Sequence, residues 1–247
     1  MRGLFAVIML DLTRLWKERI RLISSLIQPL LYLFVLGSGL GASSVMGGSK
    51  YLQYIFPGVL ALSLLFQAVF SAMMIVFDRQ IGFLKAVLVA PVPRPAIAIG
   101  KVLSGAIQAL VPAVILLVFM PVLGIHIGWL RFLGLLLAMA VAAITFSALG
   151  VATAARFKST TVFPIISNAV LLPLFFLSGA LYPLNDTPHW LRILAHFDPV
   201  AYAVDLMRGA TTGKLYFPLW LSCVVLLGFI VVLTALATQV FASGEDA

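Results

Sequence analysis

The chain has 247 residues, 63% hydrophobic and only 10% charged, with a mean hydropathy of +1.16. Soluble domains carry about 25% charge, and a core of this size cannot hide so much apolar surface, so the solvent must be lipid and a water-soluble protein is excluded. The net charge of +8 is spread over connections between apolar runs, which argues against a nucleic-acid stripe, and the single cysteine, Cys223, excludes an intrachain disulfide.

Residues 1–19 read as an interfacial helix. Leu4, Ile8, Leu12 and Leu15 recur at helical spacing among the polar positions Asp11, Arg14, Lys17 and Glu18, with Trp16 at headgroup depth. Their apolar run is too short to span. Six spans are predicted after it, at 20–41, 54–77, 97–123, 130–155, 162–181 and 217–241. At 1.5 Å per residue, about 20 residues cover the ~30 Å hydrocarbon layer. Pro112 is an expected kink in the third span, and Pro164 and Pro173 fall in the fifth. The expected fold is therefore one all-α transmembrane domain over 1–247.

Between the second and third spans, residues 78–96 form a charged interruption. Ile81, Leu84, Val87 and Leu88 share a helical face with Arg79, Gln80 and Lys85 as its polar members, and Pro91, Pro93 and Pro95 end that short surface helix. Residues 182–216 form the long connection before the last span. Thr187 before Pro188 and Asp198 before Pro199 mark two helix starts, with Trp190 on the first helix and Gly209 as the expected cap of the second. These helices suit either surface packing or re-entry into the bilayer.

Orientation follows from Lys and Arg. Arg2, Arg14, Lys17, Arg19, Arg21, Arg79, Lys85, Arg94, Lys101, Arg156 and Lys158 fall on one side, and Lys50, Arg131, Arg192, Arg208 and Lys214 on the other. That is 11 against 5, which places both termini in the cytoplasm.

Little in the chain points to catalysis. Gly37-Ser38-Gly39-Leu40-Gly41-Ala42 matches a dinucleotide fingerprint but follows a span instead of a strand, and no phosphate loop of the form GxxxxGK[ST] occurs. His126, His189 and His196 lack metal-helix spacing. The span interiors read as free of Asp, Glu, Lys and Arg, which disfavours a proton- or sodium-coupled carrier and an intramembrane hydrolase. Phe66, Gln67, Phe70, Phe163, Ser167, Asn168, Phe175 and Phe176 are candidate pathway residues. Their mild polarity and aromatic bulk suit an amphiphile's route or, equally, helix-to-helix packing. If the task is transport, energy must enter at the cytoplasmic surface, through residues 78–96. A passive channel would instead show flux set by a gradient alone, and a lipid-modifying enzyme would need an acid or histidine cluster.

Several local motifs occur together in order: Phe56-Pro57-Gly58; Asp78-Arg79 with Gly82; Ala90-Pro91-Val92-Pro93-Arg94; Phe163-Pro164; Asn168; Leu172-Pro173; Phe176-Leu177-Ser178-Gly179; Tyr182-Pro183; and Asp198-Pro199 with Tyr202 and Arg208. The set resembles the permease subunit of bacterial ABC type-2 exporters, the group that moves drugs, polysaccharides and nodulation factors. The resemblance implies a homodimer of permeases in the bacterial inner membrane, joined to two separate P-loop ATPase subunits that hold ATP and Mg, with no cofactor in this chain. It implies ATPase coupling through Asp78, Arg79, Gly82, Phe83, Lys85, Pro91 and Arg94, and through the interfacial helix with Asp11, Arg14, Trp16 and Lys17. It also implies an external re-entrant pair carrying Trp190, Asp198, Tyr202, Asp205 and Arg208, and export of a hydrophobic drug or glycolipid, or alternatively a polysaccharide or lipo-oligosaccharide.

Overall fold

The computed structural model describes residues 9, 11, 13, 19–39, 48–82, 94–157 and 159–242, and everything regular among them is helical. In chain order these are α1 (Arg19–Leu31), continued by a wide π turn (Tyr32–Leu36); α2 (Gly48–Ser71); α3 (Met73–Gln80); α4 (Arg94–Leu116); α5 (Trp129–Ala154); α6 (Val162–Leu177); α7 (His189–Phe197); α8 (Pro199–Thr212); and α9 (Leu219–Ala242). Among the described residues, five stretches are long and apolar enough to cross a membrane: Leu22–Gly39, Lys50–Gln80, Pro95–Phe119, Trp129–Ala154 and Leu219–Val240.

The central pillar is α2 with α3. Of the Lys50–Gln80 window 78% is buried inside the chain, against 11% for Leu219–Val240, so α9 turns most of its apolar surface outward. A helix apolar all round belongs in a core or against an apolar surrounding; α2 with α3 is the core case, and α9 leaves its apolar surface uncovered by the chain. At 1.5 Å per residue the 31 residues from Lys50 to Gln80 extend about 46 Å, more than the ~30 Å thickness of a hydrocarbon layer, with Asp78 and Arg79 at the far end of α3. The helix tightens at Ala72, where Ala72 N–H bonds Val69 O at 3.1 Å, and runs on as α3.

Small residues let α2, α4 and α5 approach one another. A Cβ on Gly150 of α5 would lie 2.8 Å from Val69 Cα, and one on Gly105 of α4 would lie 2.4 Å from Ser147 Oγ and 2.7 Å from Ser71 Oγ. Close backbone contact of this kind is what joins helices when lipid removes the hydrophobic drive. Gly37 plays the same part between α1 and α2, since a Cβ there would meet Leu52. It lies within the helical turn that follows the π turn.

α6 is only 16 residues long, shorter than the expected 162–181 span. Its start lies beside Gln80, with Thr160 Oγ1 donating to Gln80 Oε1 at 3.1 Å, and its end lies beside Tyr54, whose hydroxyl donates to Gly179 O at 3.3 Å. The segment thus runs the length of the bundle from the Asp78 end to the opposite end. Pro112 sits inside α4, which closes in a 3₁₀ turn at Leu117–Phe119.

Both helix starts in 182–216 exist, with two corrections. Thr187 does not cap α7: its hydroxyl donates to Leu184 O at 2.8 Å and Pro188 stands at the N-cap. α8 does not stop at Gly209 but runs on to Thr212, because Gly213, at φ +78°, supplies the left-handed residue that a C-terminal cap requires. At its other end the expectation holds: Asp198 caps α8 by accepting from Val200 N–H at 2.8 Å, and Pro199 follows.

Candidate functional site at the Asp78 end

Three charged side chains from three separate stretches meet at the Asp78 end. Lys101 Nζ, two turns into α4, lies 3.0 Å from Asp11 Oδ1 and 3.6 Å from Asp78 Oδ2 of α3. Ser104 Oγ, one turn further along α4, donates to Asp11 Oδ2 at 2.7 Å. Asp11, Asp78 and Lys101 are 5%, 2% and 9% exposed, so the cluster is dry. Buried charges persist only when paired, and breaking such a pair leaves a bare ion in low dielectric.

This overturns part of the sequence reading. The middle of each span is free of charge, but the bundle interior at the Asp78 end is not, because Lys101 belongs to α4 and points inward. Asp78 and Arg79 form the last turn of α3 instead of opening a surface helix. Arg79 Nη1 donates to Phe157 O at 3.4 Å, and its buried Nε has no hydrogen-bond partner among the described residues. The end of α3 is thereby tied to the loop after α5 as well as to α4 and the N-terminal segment. Ile81 and Gly82 are exposed, with Gly82 at φ +74° turning the chain away from α3. Arg94 opens α4. Phe83, Lys85 and Pro91, with Arg14, Trp16 and Lys17, lie outside the described residues, so the expected surface helix and most of the interfacial helix do too.

The candidate pathway residues separate into two sets. Phe66 and Phe70, with ring centroids 6.0 Å apart, line a cleft of about 140 Å³ with Gln67, Ser63, Ser25, Gln28 and Pro29, between α1 and α2. Ser63 Oγ and Gln67 Nε2 are buried there without a hydrogen-bond partner among the described residues. A polar cavity of that volume has room for several waters or for a ligand's polar group. Phe163 and Phe175 are instead fully buried core residues, packed edge-on against Phe157 and Tyr32 at 6.2 and 6.1 Å. Ser167 is buried, Asn168 half-buried and Phe176 exposed. Within one chain Phe66 and Phe70 thus lie apart from the buried Phe163 and Phe175.

At the opposite end, α8 closes on α2 and on the turn after α6. Arg208 Nη2 donates to Gly179 O at 3.0 Å, and its guanidinium sits 3.9 Å from the Tyr54 ring centroid. Asp205 accepts from the Tyr216 and Phe217 N–H groups at 2.7 and 3.0 Å, which fixes the entry to α9. Burial pushes the Asp205 carboxyl up, opposed by those two N–H groups and by Arg208. Burial also raises Asp198, to about 8, against the opposing bond from Val200 N–H. Tyr202 Oη donates to His196 O at 2.9 Å, joining α7 to α8, and Trp190 is exposed. A Cβ on Gly58 would lie 2.6 Å from Ala180 O, so this glycine is what lets α2 and the turn after α6 touch.

Sequence reasoning missed Lys101 and Ser104. The available signal was their spacing. Lys101 and Ser104 share one face of α4, and a lysine inside an apolar helix asks for a carboxylate.

Comparison with known proteins agrees with a transport assembly. The family model described as ABC-2 type transporter matches residues 2–212. Nodulation protein J of Rhizobium leguminosarum bv. trifolii is 30% identical over 203 residues, covering 80% of this chain and 77% of its own. The probable doxorubicin resistance ABC transporter permease protein DrrC of Mycobacterium tuberculosis (strain ATCC 25618 / H37Rv) is 29% identical over 211 residues, covering 82% and 74%. The inner membrane transport permease YadH of Escherichia coli (strain K12) is 29% identical over 224 residues, covering 88% and 85%.

Proposed function

Since the chain belongs to the ABC-2 type transporter family, we propose that this permease is the membrane subunit of an ATP-driven exporter whose separate ATPase acts on the Asp78 end. In this reading that end faces the cytoplasm, following the Lys and Arg bias, and α6 is a sixth crossing. Two copies build one transport unit with two P-loop subunits that carry ATP and Mg.

The observation that carries the proposal is the Asp11–Lys101–Asp78 cluster. Residues 83–93 join α3 to α4, and both flanks of that connection are gripped by Lys101 together with the N-terminal segment. The clamp couples α3, α4 and Asp11, and the Gly105–Ser71–Ser147 junction one turn further in passes a displacement to α2 and α5. Packed interfaces of this kind switch between discrete arrangements instead of bending smoothly.

The cleft between α1 and α2 is the natural place for the substrate's polar group. It lies beside the second half of α2, its walls combine Phe66 and Phe70 with Ser63 and Gln67, whose Oγ and Nε2 have no hydrogen-bond partner among the described residues, and α1 is loosely held, with 18% of its window buried. The chemistry suits an amphiphile with a hydroxyl or amide group among apolar surface, such as a hydrophobic drug or a glycolipid. A lipo-oligosaccharide fits the same architecture.

The test is ATP hydrolysis by the reconstituted permease–ATPase complex in proteoliposomes. The variant Asp11→Asn/Asp78→Asn/Lys101→Met replaces the cluster with neutral groups. Its ATP turnover should no longer depend on the permease, whereas the unaltered permease regulates it. Equal regulation by both, or substrate flux through the permease alone, would count against the proposal.

A further inference from the structure

On the outward side of the bundle, away from the cleft between α1 and α2, a groove of about 460 Å³ runs between α5, α8 and α9. Its walls are apolar: Gly134, Ala138 and Val141 of α5, Leu206 of α8, and Leu219 and Leu227 of α9. The concavity comes from small residues, since a Cβ on Gly134 would meet nothing within 4 Å. α9 forms one wall with most of its surface unburied by the chain itself. A groove this size falls in the range of small-molecule sites.

The rim of the groove is cationic. Arg131 lines it at the start of α5, is exposed, and among the described residues has no hydrogen-bond or ion-pair partner. Its guanidinium lies about as close as van der Waals contact allows to where a Cβ on Gly213 would sit, 3.5 Å, and the exposed Lys214 follows in the same turn. Asp205, the carboxylate nearest in sequence to this turn, is committed to the Tyr216 and Phe217 N–H groups. The level of the rim is marked by Trp129 and Trp220, which are 74% and 66% exposed and lie at the starts of α5 and α9, the depth where indole rings settle at the headgroups.

We infer that this groove is a binding site for one anionic phospholipid, its phosphate paired with Arg131 and one acyl chain lying along α5 and α9. Charge complementarity selects the occupant: a free cation at headgroup depth over an apolar trough fits a molecule with an anionic head and an alkyl chain. This inference is independent of the transport reading and of which substrate is moved.

The experiment is native mass spectrometry of the full chain, extracted in mild detergent with equal amounts of phosphatidylglycerol and phosphatidylcholine. Two variants accompany it. Arg131→Gln removes an exposed side chain with no partner among the described residues, and Gly134→Leu fills the trough in space that the structure leaves open. The unaltered chain should retain phosphatidylglycerol over phosphatidylcholine, and Arg131→Gln should lower that preference about fivefold, the factor expected for one basic residue at a membrane surface. Gly134→Leu should lose both lipids with its thermal midpoint unchanged. Equal lipid retention by all three proteins would overturn the inference. So would efficient Cys223–Cys223 disulfide formation between two chains under oxidation, because Cys223 lines this groove and the bond would show a second copy seated in it.

Discussion

Lys101→Met should destabilise the fold more than any exposed charge change, and the structure sets the scale. At an effective dielectric near 20, contacts of 3.0 and 3.6 Å each supply about 5 kcal/mol of Coulomb attraction. Desolvation of three ions and repulsion between the two carboxylates offset most of it, so the net worth of the intact cluster is small. Deleting the cation removes the attraction and leaves two carboxylates, 5% and 2% exposed, without it. The expected loss is about 3–5 kcal/mol. Folded fraction against SDS mole fraction, in mixed micelles, measures it. Asp11→Asn/Asp78→Asn/Lys101→Met should recover at least half of the loss, since neutral groups no longer suffer the burial penalty. A single Lys101→Met variant within about 1 kcal/mol of the unaltered chain would refute the argument that the cluster is dry and tightly paired.

Other outcomes follow from the same packing. Asp198 holds its proton when folded up to about pH 8 but releases it near the ordinary carboxylate range when unfolded, so stability should fall as pH rises from about 4 to about 8 and level off above. Asp198→Asn keeps an oxygen to cap α8 and should flatten that slope in unfolding curves taken at pH 6 and pH 9. Gly150→Leu forces a side chain against Val69 Cα and should cost about 1–3 kcal/mol or separate α2 from α5, read by the same SDS titration. Asp205→Ala strands the Tyr216 and Phe217 N–H groups, at about 1–3 kcal/mol each, and should expose the 213–218 connection to protease.

How much of this was legible beforehand depends on the kind of signal. Long apolar runs announce themselves, and the five long candidate crossings lie where hydropathy puts them. The start of α8 was legible because Asp198-Pro199 is a local device, cap and fixed φ in adjacent residues. Its end was not, because Gly209 and Gly213 are equally good cap residues by type, and only packing against α5 decides that the helix continues. The end of α3 was misread for a related reason. The charges of Asp78 and Arg79 suggest a surface helix, but Lys101 and the carbonyl of Phe157 draw both side chains inward across distances in sequence that no local pattern encodes. The aromatic candidates divided on the same ground: periodicity along α6 does not say which face meets Tyr32 and which is left uncovered, so Phe175 is core while its neighbour Phe176 is exposed.

The central claim is that an ATPase docks at the connection leaving α3, and photocrosslinking tests it most directly. In a Cys223→Ser background, a benzophenone maleimide is attached at Ile81→Cys, an exposed position just past α3, or at Trp190→Cys, exposed at the opposite end. The account predicts crosslinks to the ATP-binding subunit from position 81 and none from position 190 in intact membranes. Crosslinks from position 190 with none from position 81 would contradict it.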